Sequence, residues 1–489
     1  MLQKIWNYFK EKPYQRILIL ALLLRLIPLF FSNGFYAHDD HYLIVEVAQE
    51  WVEGSNESGW IVDEYAKNDN GRSIIYPGMF YILFSGMDAI GLHSPILKMF
   101  IVSLLHIVLS LWVVYLGMKI TEYYNQKALV MSGLMLAGMW FMPFISVRTL
   151  IEVVAMTPLL YATWLIIKTE KYSVSNLLLI GTMIFLAFTI RYQTILVSAG
   201  LGFFFIQKKD YKAIFLTLIT FLAWVGLVHG YGDYLLTTKP FGKLLFYFVY
   251  NVENANNYIT RPVFDYVLFG FIFLLPPIGV LLFGLVWTQW KKTLPITLGV
   301  LFFFIVHSII PNKQERFIFT LIPYFMILAS LAYIQYFPKP KKWLNIMWRI
   351  SLVVNIIMMG YLSTYYTKES RVEVMKYIGT KTDVSKVAVF PTQYENPNMV
   401  PVFYSGKTLE ISYLNKDTRN IKPNEYDYLL VEISPEKSLR EINGFLEQLG
   451  VSANATLETR IEGSIVDNFR YTLNKVIKNE EYFVYKLNQ

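Results

Sequence analysis

The sequence has no cysteine and is poor in charged residues. Among its 489 residues the absence of Cys excludes disulfide bonds, thiolate metal sites and cysteine nucleophiles. Only 16% of the residues are charged, against roughly a quarter in an ordinary soluble protein. Glycine-rich phosphate-binding patterns, an HExxH zinc motif and a GxSxG nucleophile motif are missing as well. These absences exclude a soluble enzyme and give no support to nucleotide binding, zinc hydrolysis or a serine triad.

Long apolar runs are present instead, and 55% of the chain is hydrophobic. A bilayer core about 30 Å thick needs about 20 apolar residues per helical crossing, and runs of that length recur from Tyr14 to Thr367. We therefore predict a polytopic α-helical membrane protein with about eleven transmembrane helices. The predicted crossings are residues 14–31, 96–119, 127–145, 149–168, 174–190, 193–207, 211–230, 264–288, 294–310, 315–336 and 346–365.

Basic residues predict the orientation, because cytoplasmic loops retain Lys and Arg. With a cytoplasmic N-terminus, all the strongly basic connectors fall inside, provided that the apolar stretch Ile74–Leu92 does not cross. That stretch contains Tyr76-Pro77-Gly78, and we predict a re-entrant or interfacial element on the outer face. The net charge of +8 then mostly marks the inner loops and indicates no nucleic-acid partner.

The orientation predicts two parts of the chain. Residues 1–367 form a transmembrane module with an outer loop, 33–95, and an outer segment, 231–263, whereas residues 368–489 form a small extracytoplasmic α/β domain. Chemistry is expected on the outer face, since the inner face receives only short basic connectors. Within the tail, the predicted strands and helices are Val387–Phe390, Tyr428–Ile433, Phe483–Leu487, Arg371–Thr380 and Glu436–Leu449.

Two aspartates, Asp39 and Asp40, stand between two histidines in the first outer loop. They open a predicted amphipathic helix, and peptide dipoles stabilise ionised carboxylates at a helix N-terminus. Glu46 follows at helical spacing on the same face as Asp39. A simple N-cap does not need two aspartates, so we predict a functional site here.

Two further groups of ionisable residues lie on the outer face. Arg72 suits bidentate contact with an anionic head group, although an arginine that pairs with lipid phosphate looks the same in sequence. Arg148 and Glu152, four residues apart at the outer end of a crossing, would pair on one helix face. Ionisable residues at this depth are functional candidates, with a structural ion pair as the alternative.

The segment around Lys313 and Arg316 opens another membrane helix on the outer face. Two cations at a helix N-terminus suit a phosphate at the bilayer surface. The outer segment 231–263 is rich in amides and aromatics, which is typical of carbohydrate recognition. The supporting candidates on this face are Tyr192, Asn251, Glu253, Asn312 and Glu315.

At these positions the sequence resembles the GT-C glycosyltransferases that use lipid-phosphate sugars, especially the mannosyltransferases of the GPI-anchor and dolichol-oligosaccharide pathways. Ala37-His38-Asp39-Asp40 corresponds to the family's His-Pro-Asp-Glu motif, with a histidine where the family has proline. The register that also aligns Glu46 makes Asp39 the first acid, and the alternative register makes Asp40 the first acid. Three more motifs occur in the family's order, at Gly71–Pro77, Val147–Glu152 and Asn312–Phe317.

The resemblance implies a GT-C-like fold and an inverting glycosyltransferase that moves a sugar, a hexose such as mannose, from a polyprenyl-phosphate donor to a hydroxyl of a glycan, glycolipid or protein. Asp39 or Asp40 would be the general base, while Arg72, Lys313 and Arg316 would bind the donor phosphate. Phosphate is a competent leaving group, so no cofactor is required, although both aspartates could hold a divalent metal. The residues expected to support the site are His38, His41, Glu46, Arg148, Glu152, Tyr192, Asn251, Glu253, Asn312 and Glu315.

The expected location is the inner membrane of a bacterium, multi-pass and with the site facing the periplasm, or the ER membrane of a eukaryote. The alternatives are a transporter or flippase, a polymerase or ligase for lipid-linked oligosaccharides, and a non-catalytic receptor. A transporter predicts ionisable residues near the bilayer midplane. Arg25, in the outer half of the first helix, is the main residue of that kind.

Overall fold

The computed structural model describes residues 2–54, 72–237, 239–258, 260–339, 341–392, 395–434, 439–473 and 479–488. Helices dominate as far as residue 379, and a small sheet follows. The α-helices are α1 (Leu2–Glu11), α2 (Pro13–Phe31), α3 (His38–Asp40), α4 (Val47–Glu53), α5 (Ile75–Ala89), α6 (Pro95–Tyr124), α7 (Leu129–Gly138), α8 (Met142–Ile145), α9 (Ile151–Val154), α10 (Met156–Lys168), α11 (Val174–Ile190), α12 (Thr194–Gln207), α13 (Tyr211–Val225), α14 (Asp233–Thr237), α15 (Gly242–Glu253), α16 (Asp265–Phe273), α17 (Ile278–Val286), α18 (Leu294–Ile309), α19 (Ile322–Tyr336), α20 (Lys342–Ser363), α21 (Glu369–Gly379), α22 (Leu439–Gln448) and α23 (Ile465–Leu473).

Shorter helical turns and five strands complete the chain. The π-helical segments are His41–Glu46 and Gly226–Gly232, and the 3₁₀ segments are Gln126–Ala128, Trp287–Gln289, Glu315–Leu321, Val402–Ser405 and Pro423–Glu425. The strands are β1 (Lys386–Pro391), β2 (Glu410–Tyr413), β3 (Tyr428–Ile433), β4 (Ala455–Ile461) and β5 (Glu481–Leu487).

The chain divides into two compact units, and neither is continuous in sequence. The first unit comprises Met1–Phe30, Asp69–Ile75 and Val102–Thr364, and the second comprises Phe31–Asn68, Tyr76–Ile101 and Tyr365–Gln489. The second unit therefore combines most of the first outer loop with the C-terminal tail, although residues 55–71 of that loop lie outside the described residues. The division of the chain at residues 367 and 368 stays a prediction.

The helices make this a multi-span membrane protein. Within the described ranges, six helices are long and apolar enough to cross a membrane, and one bent pair would add a seventh. All eleven predicted segments coincide with helical elements, but the number of crossings stays a prediction. The six are Pro13–Phe31, Pro95–Tyr124, Ile151–Lys168, Tyr211–Leu235, Glu315–Tyr336 and Lys342–Ser363.

The bent pair corrects one expectation, because residues 264–288 do not form a straight crossing. Asp265–Phe273 and Ile278–Gln289 meet at an angle of 117°. Pro276 and Pro277 stand in the break, and proline has no amide hydrogen to continue a helix. The stretch 74–92 forms the 15-residue helix α5, which is not among the six long apolar helices. Whether α5 is re-entrant or interfacial stays a prediction.

The core of the first unit is built on α19, whose residues from Ile322 to Tyr333 are all buried. Beside it, α12 and α18 approach each other closely where two glycines face. A Cβ on Gly200 would lie 2.1 Å from the backbone nitrogen of Gly299. In lipid, small residues permit the close van der Waals packing that holds helices together.

Arg25 is a structural residue of the first unit and is fully buried. Its guanidinium donates to Ser110 Oγ (2.8 Å) and to the carbonyl oxygens of Ala21 (3.0 Å), Ala137 (3.0 Å) and Leu136 (3.2 Å). One hydroxyl and three carbonyl oxygens thus accept hydrogen bonds from the guanidinium within the protein. Arg25 thus gives no support to a transport pathway.

The tail of the second unit forms a five-stranded sheet of order β2-β1-β3-β5-β4, parallel across β2, β1 and β3 and antiparallel at β5 and β4. Its core is apolar and includes Phe390, Val431, Ile442, Leu446 and Phe483. The three predicted strands are confirmed, as are the two predicted helices apart from residues 436–438, which lie outside the described residues. Strands β2 and β4 and helix α23 were not predicted.

Candidate active site

The two aspartates lie at the start of a continuous helical segment of the second unit. It runs from α3 through the π-helical turn His41–Glu46 into α4 and ends at Gly54, which has a φ of 63°. The predicted helix is confirmed, but its spacing differs, because a π-helical turn brings residues five apart onto one face. His41 Nε2 accordingly lies 3.2 Å from Glu46 Oε1.

Asp39 and Asp40 differ sharply in exposure. Asp40 is completely buried, whereas Asp39 is half-buried. Asp39 also interacts electrostatically with the His38 imidazole and with the Lys368 ammonium. Of the two, only the side chain of Asp39 is accessible from outside the protein.

Glu46 and His41 form a buried pair behind the aspartates. Glu46 Oε2 accepts a hydrogen bond from the Phe403 amide (2.8 Å), and the ring of His41 is stacked between Phe35 and Tyr404. Burial raises the pKa of Glu46 to about 8 and lowers the pKa of His41 to about 3. Near pH 7 both side chains are therefore uncharged, which matches a position with almost no solvent.

The C-terminal tail contacts the residues just before this helical segment and the first half of the segment. Ser32 Oγ donates to the carbonyl of Tyr365 (2.6 Å), and the Thr367 amide donates to the carbonyl of Asn33 (3.1 Å). Farther along, Tyr42 donates from its hydroxyl to the carbonyl of Met399 (2.7 Å). Together with the hydrogen bond from the Phe403 amide to Glu46, these contacts hold the aspartate-bearing helix through residues that are distant in sequence.

Two cations beside the aspartates were missed in the sequence. Lys368 follows Thr367, and burial lowers its pKa to about 8. Arg371, one turn farther on, donates to Glu480 through Nε (2.9 Å) and Nη2 (2.6 Å). No sequence signal links these residues to Asp39, because more than 300 positions separate them.

A second cluster lies in the first unit and centres on Glu152. Arg191 Nη1 lies 2.5 Å from Glu152 Oε1, and Arg316 Nη1 lies 4.0 Å from the same oxygen. Arg191 also donates to the carbonyl of Phe317 (2.8 Å), and Arg316 Nε donates to Gln314 (2.8 Å). One carboxylate thus lies next to two guanidinium groups.

The expected placement of Arg148 and Glu152 on one helix face is wrong. Helix α9 begins at Ile151, and Leu150 before it is extended, with φ −130°. Arg148 therefore lies in the preceding turn, where its guanidinium lies 4.8 Å from the centre of the Phe144 ring. The four-residue spacing does not apply across this break, and Glu152 pairs with Arg191, which the sequence analysis did not select.

Lys313 stabilises the turn in which it lies. Its side chain is buried, and Nζ donates to the carbonyl oxygens of Ile310 (2.5 Å) and Arg261 (3.2 Å). Burial lowers its pKa. Asn312 beside it forms a backbone bridge with Thr260. The two carbonyls take up two of the three N–H bonds of the Lys313 ammonium, so one is left to contact a phosphate. The phosphate-binding role of Lys313 stays a prediction.

A chain of buried polar groups continues from the arginine motif at Arg72. Ser73 Oγ lies 2.7 Å from Thr189 Oγ1, which lies 3.1 Å from His229 Nε2. Tyr192 packs its ring against His229 and Tyr247. His229 was missed because a single histidine in an apolar run carries no pattern.

The remaining predicted residues have weaker structural support. Asn251 and Glu253 are exposed on α15, and Asn251 Nδ2 donates to the carbonyl of Tyr247 (2.7 Å). Glu315 and Asn312 are half-buried at the start of the 3₁₀ turn Glu315–Leu321 and just before it. Their substrate roles stay predictions.

A polar cavity of about 330 Å³ opens in the second unit beside the aspartate-bearing helix. Buried Lys98 links two of its walls, with Nζ 3.0 Å from Gln49 Oε1 and 2.8 Å from Asp88. In the described part of the chain no three His, Asp or Glu side chains are arranged to hold a metal ion. The cavity is lined by Glu46, Gln49, Glu50, Glu53, Asp88, His93, Pro95, Lys98, Val402, Phe403, Gly406, Lys407, Thr408 and Leu409.

Comparison with solved structures identifies the class of fold. A crystal structure of ArnT from Cupriavidus metallidurans bound to undecaprenyl phosphate superposes with a TM-score of 0.60, at 10% identity, over 96% of this chain and 97% of that chain. An oligosaccharyltransferase from Archaeoglobus fulgidus, tethered to an acceptor peptide, gives 0.53 at 10% identity over 93% and 74%. The fold is that of the GT-C glycosyltransferases of membranes.

Comparison of sequences identifies the family within that class. The model of the Alg9-like mannosyltransferase family matches residues 16–400, and the chain belongs to this family of glycosyltransferases. GPI mannosyltransferase 3 of Yarrowia lipolytica is 30% identical over 171 residues. That match covers 34% of this chain and 32% of the relative, so only about a third of the relative's length is spanned. Family membership favours transfer of sugars over the transporter and receptor alternatives.

Proposed function

We propose that this protein is an inverting glycosyltransferase that moves a hexose, mannose foremost, from a polyprenyl-phosphate donor to a hydroxyl of a glycan, glycolipid or protein. The observation that carries the proposal is the accessible carboxylate of Asp39, at the start of a helix fixed by the tail and next to fully buried Asp40. The undecaprenyl phosphate bound to ArnT, the acceptor peptide tethered to the archaeal oligosaccharyltransferase and the mannosyltransferase relative support both substrate classes.

In the proposed reaction the acceptor oxygen attacks the anomeric carbon opposite the phosphate. The bond between that carbon and the phosphate oxygen breaks, polyprenyl phosphate leaves with the electron pair, and the hydroxyl proton passes to Asp39. Asp40 is the weaker candidate for the base because its side chain has no access to solvent. Since phosphate leaves without a proton, one carboxylate is enough and no cofactor is needed.

The donor phosphate is assigned to two arginines. Arg72 and Arg316 would bind its oxygens, since a guanidinium matches a phosphate in a bidentate way. Arg316 lies near Glu152, which Arg191 also contacts, so two guanidinium groups are present where a phosphate would be bound. The 330 Å³ cavity, with its carboxylates, amide and ammonium, suits the hydroxyl-rich acceptor.

The proposed location follows from the basic inner loops. They support eleven crossings, a cytoplasmic N-terminus and a site on the outer face, which is the periplasm if the membrane is bacterial and the ER lumen if it is eukaryotic. Membrane lipids surround the crossings, and the polyprenyl tail of the donor would lie among them.

The first test is transfer by purified protein in lipid nanodiscs, with a panel of labelled polyprenyl-phosphate sugars that includes mannose. We expect Asp39→Asn to lower kcat at least about 100-fold, the usual scale for losing a general base. Asp417→Asn, at an exposed aspartate of the tail, is the matched control and should keep the wild-type rate.

Two outcomes would reject parts of the proposal. If Asp39→Asn and Asp40→Asn both transfer at the wild-type rate, the base assignment is wrong. If the wild type uses a nucleotide sugar and none of the polyprenyl-phosphate sugars, the donor class is wrong.

A further inference from the structure

A cation of the C-terminal tail lies beside the proposed base. The Thr367 amide donates to the carbonyl of Asn33, and Thr367 forms a parallel bridge with Gly34. This register places the next tail residue, Lys368, opposite Phe35, and its ammonium lies 5.1 Å from the centre of the Phe35 ring. The Phe35 ring is stacked on His41 of the aspartate-bearing helix. Lys368 therefore lies at the entry to that helix.

The backbone holds Lys368 in this place. Its φ of 55° lies in the left-handed region, which a long side chain adopts only where its surroundings require it. The bonds on either side supply that constraint, because Thr367 is tied to Asn33 and α21 begins at the following residue.

Asp39 is one of three acids whose charge acts on the Lys368 ammonium, after Glu480 and before Asp467. Of its acidic neighbours, Glu480 is bound twice by Arg371, and Asp467 accepts hydrogen bonds from Tyr365 and Ser464. Asp39 is the neighbouring acid on the helix that Lys368 faces. The titratable groups that act on Lys368 or feel its charge are Asp39, His38, His41, Arg371, Asp467 and Glu480.

We propose that Lys368 is a positioning residue that keeps Asp39 ionised and oriented to accept the acceptor's proton. The proposal rests on the proposed function, since it takes Asp39 as the base. A half-buried carboxylate tends to be protonated as it loses water, and an ammonium at its side favours the charged form. The tail would thus complete the catalytic group without touching the reacting atoms.

The test measures the ionisation of Asp39 directly in the full-length protein in nanodiscs. Carbodiimide labels protonated carboxyl groups, so the pH midpoint of Asp39 labelling, read by peptide mass spectrometry, reports its ionisation without any need for activity. We expect Lys368→Met to raise this midpoint by about one pH unit, the lower end of the effect of a neighbouring cation. Lys368→Arg retains the charge and should leave the midpoint unchanged.

Lys376→Met is the matched control, because Lys376 lies on the same helix α21 and pairs with Glu373 (2.7 Å). It should leave the midpoint unchanged. In the pH profile of sugar transfer, the acid limb of Lys368→Met should move upward with the labelling midpoint.

The outcomes separate this proposal from the proposed function. An unchanged midpoint in Lys368→Met overturns the role of Lys368, whether or not the protein transfers sugar. A raised midpoint together with an unmoved acid limb overturns the link between Asp39 and proton transfer. A raised midpoint in a protein that transfers no sugar upholds the electrostatic contact and rejects the proposed function.

Discussion

Glu46 is a carboxyl group that the fold keeps protonated. It is almost completely buried, its neighbour His41 is equally buried, and the Phe403 amide binds one of its oxygens. Because burial raises the pKa of Glu46 to about 8, the folded protein retains a proton that the unfolded chain releases near its ordinary value of 4.5. The stability this provides is present at low pH and is lost as the pH rises through 8.

We predict that Glu46→Gln removes a pH dependence of stability between about pH 6.5 and 8. Below 6.5 the lowered pKa of His41 acts with the opposite sign, since stability there rises with pH. Within the window, the wild type should lose on the order of 2 kcal/mol, from about 1.4 kcal/mol per pH unit. Thermal unfolding of the wild type and of Glu46→Gln in detergent at several pH values would show this loss of stability. If the stability of the two proteins changes with pH in the same way, Glu46 is ionised in the folded state.

At the residue scale, the sequence identified groups that occur within one motif. Asp39, Asp40 and Glu46 follow from helical spacing and from the family resemblance. Lys368 and Arg371 do not, because a contact made across more than 300 residues has no local pattern. Arg148 and Glu152 do not share one helix face because a helix start falls between them, and no capping residue marks that start.

At the element scale, the positions of the helices could be predicted and their breaks could not. An apolar run must be helical in a bilayer, because each amide and carbonyl needs a partner inside the segment. How the helices approach one another depends on single small residues, as at the contact of Gly200 with Gly299. Strands β2 and β4 were missed since, as edge strands, they are partly exposed and polar.

We predict opposite effects for two neighbouring glycines of α12. Gly200→Ala should cost roughly 1–3 kcal/mol of stability, because the new methyl group would meet the Gly299 backbone. Gly202→Ala should be neutral or stabilise by about 0.5–1 kcal/mol, because nothing lies within 4 Å of its Cβ and alanine favours the helix. The thermal unfolding midpoints of the two variants and the wild type in nanodiscs measure these effects. Equal effects would show that α12 and α18 are not in contact at Gly200.

At the scale of the whole molecule, the unit that carries the aspartates is assembled from distant parts of the chain. The first outer loop supplies the helix, and the tail supplies the groups that hold it. The sequence predicted a separate tail domain because composition changes near residue 367, but composition cannot show which segments pack together. Gly34 lies where the first outer loop contacts the tail, since a Cβ there would lie 1.8 Å from the carbonyl oxygen of Thr367.

We predict that Gly34→Ala lowers both stability and sugar transfer, whereas Gly54→Ala changes transfer little. Both glycines have a positive φ, 78° and 63°, so the backbone cost of about 1–2 kcal/mol is similar. Among the described residues, Gly34 has a neighbour within 4 Å and Gly54 has none, so substitution of Gly34 must displace Thr367 and with it Lys368. Transfer rates and unfolding midpoints of the two variants test this. Transfer that falls equally in both would assign the effect to the backbone alone.

The bond between Glu46 and Phe403 has a consequence for the order of synthesis, because it joins residues 357 positions apart. At about 5–20 residues per second, the helix that carries Asp39 emerges tens of seconds before the strand and loop that fix it. Until then Asp40, His41 and Glu46 lack the partners that close over them. A nascent chain that stops before residue 403 carries all four motifs in its sequence and still has no completed site.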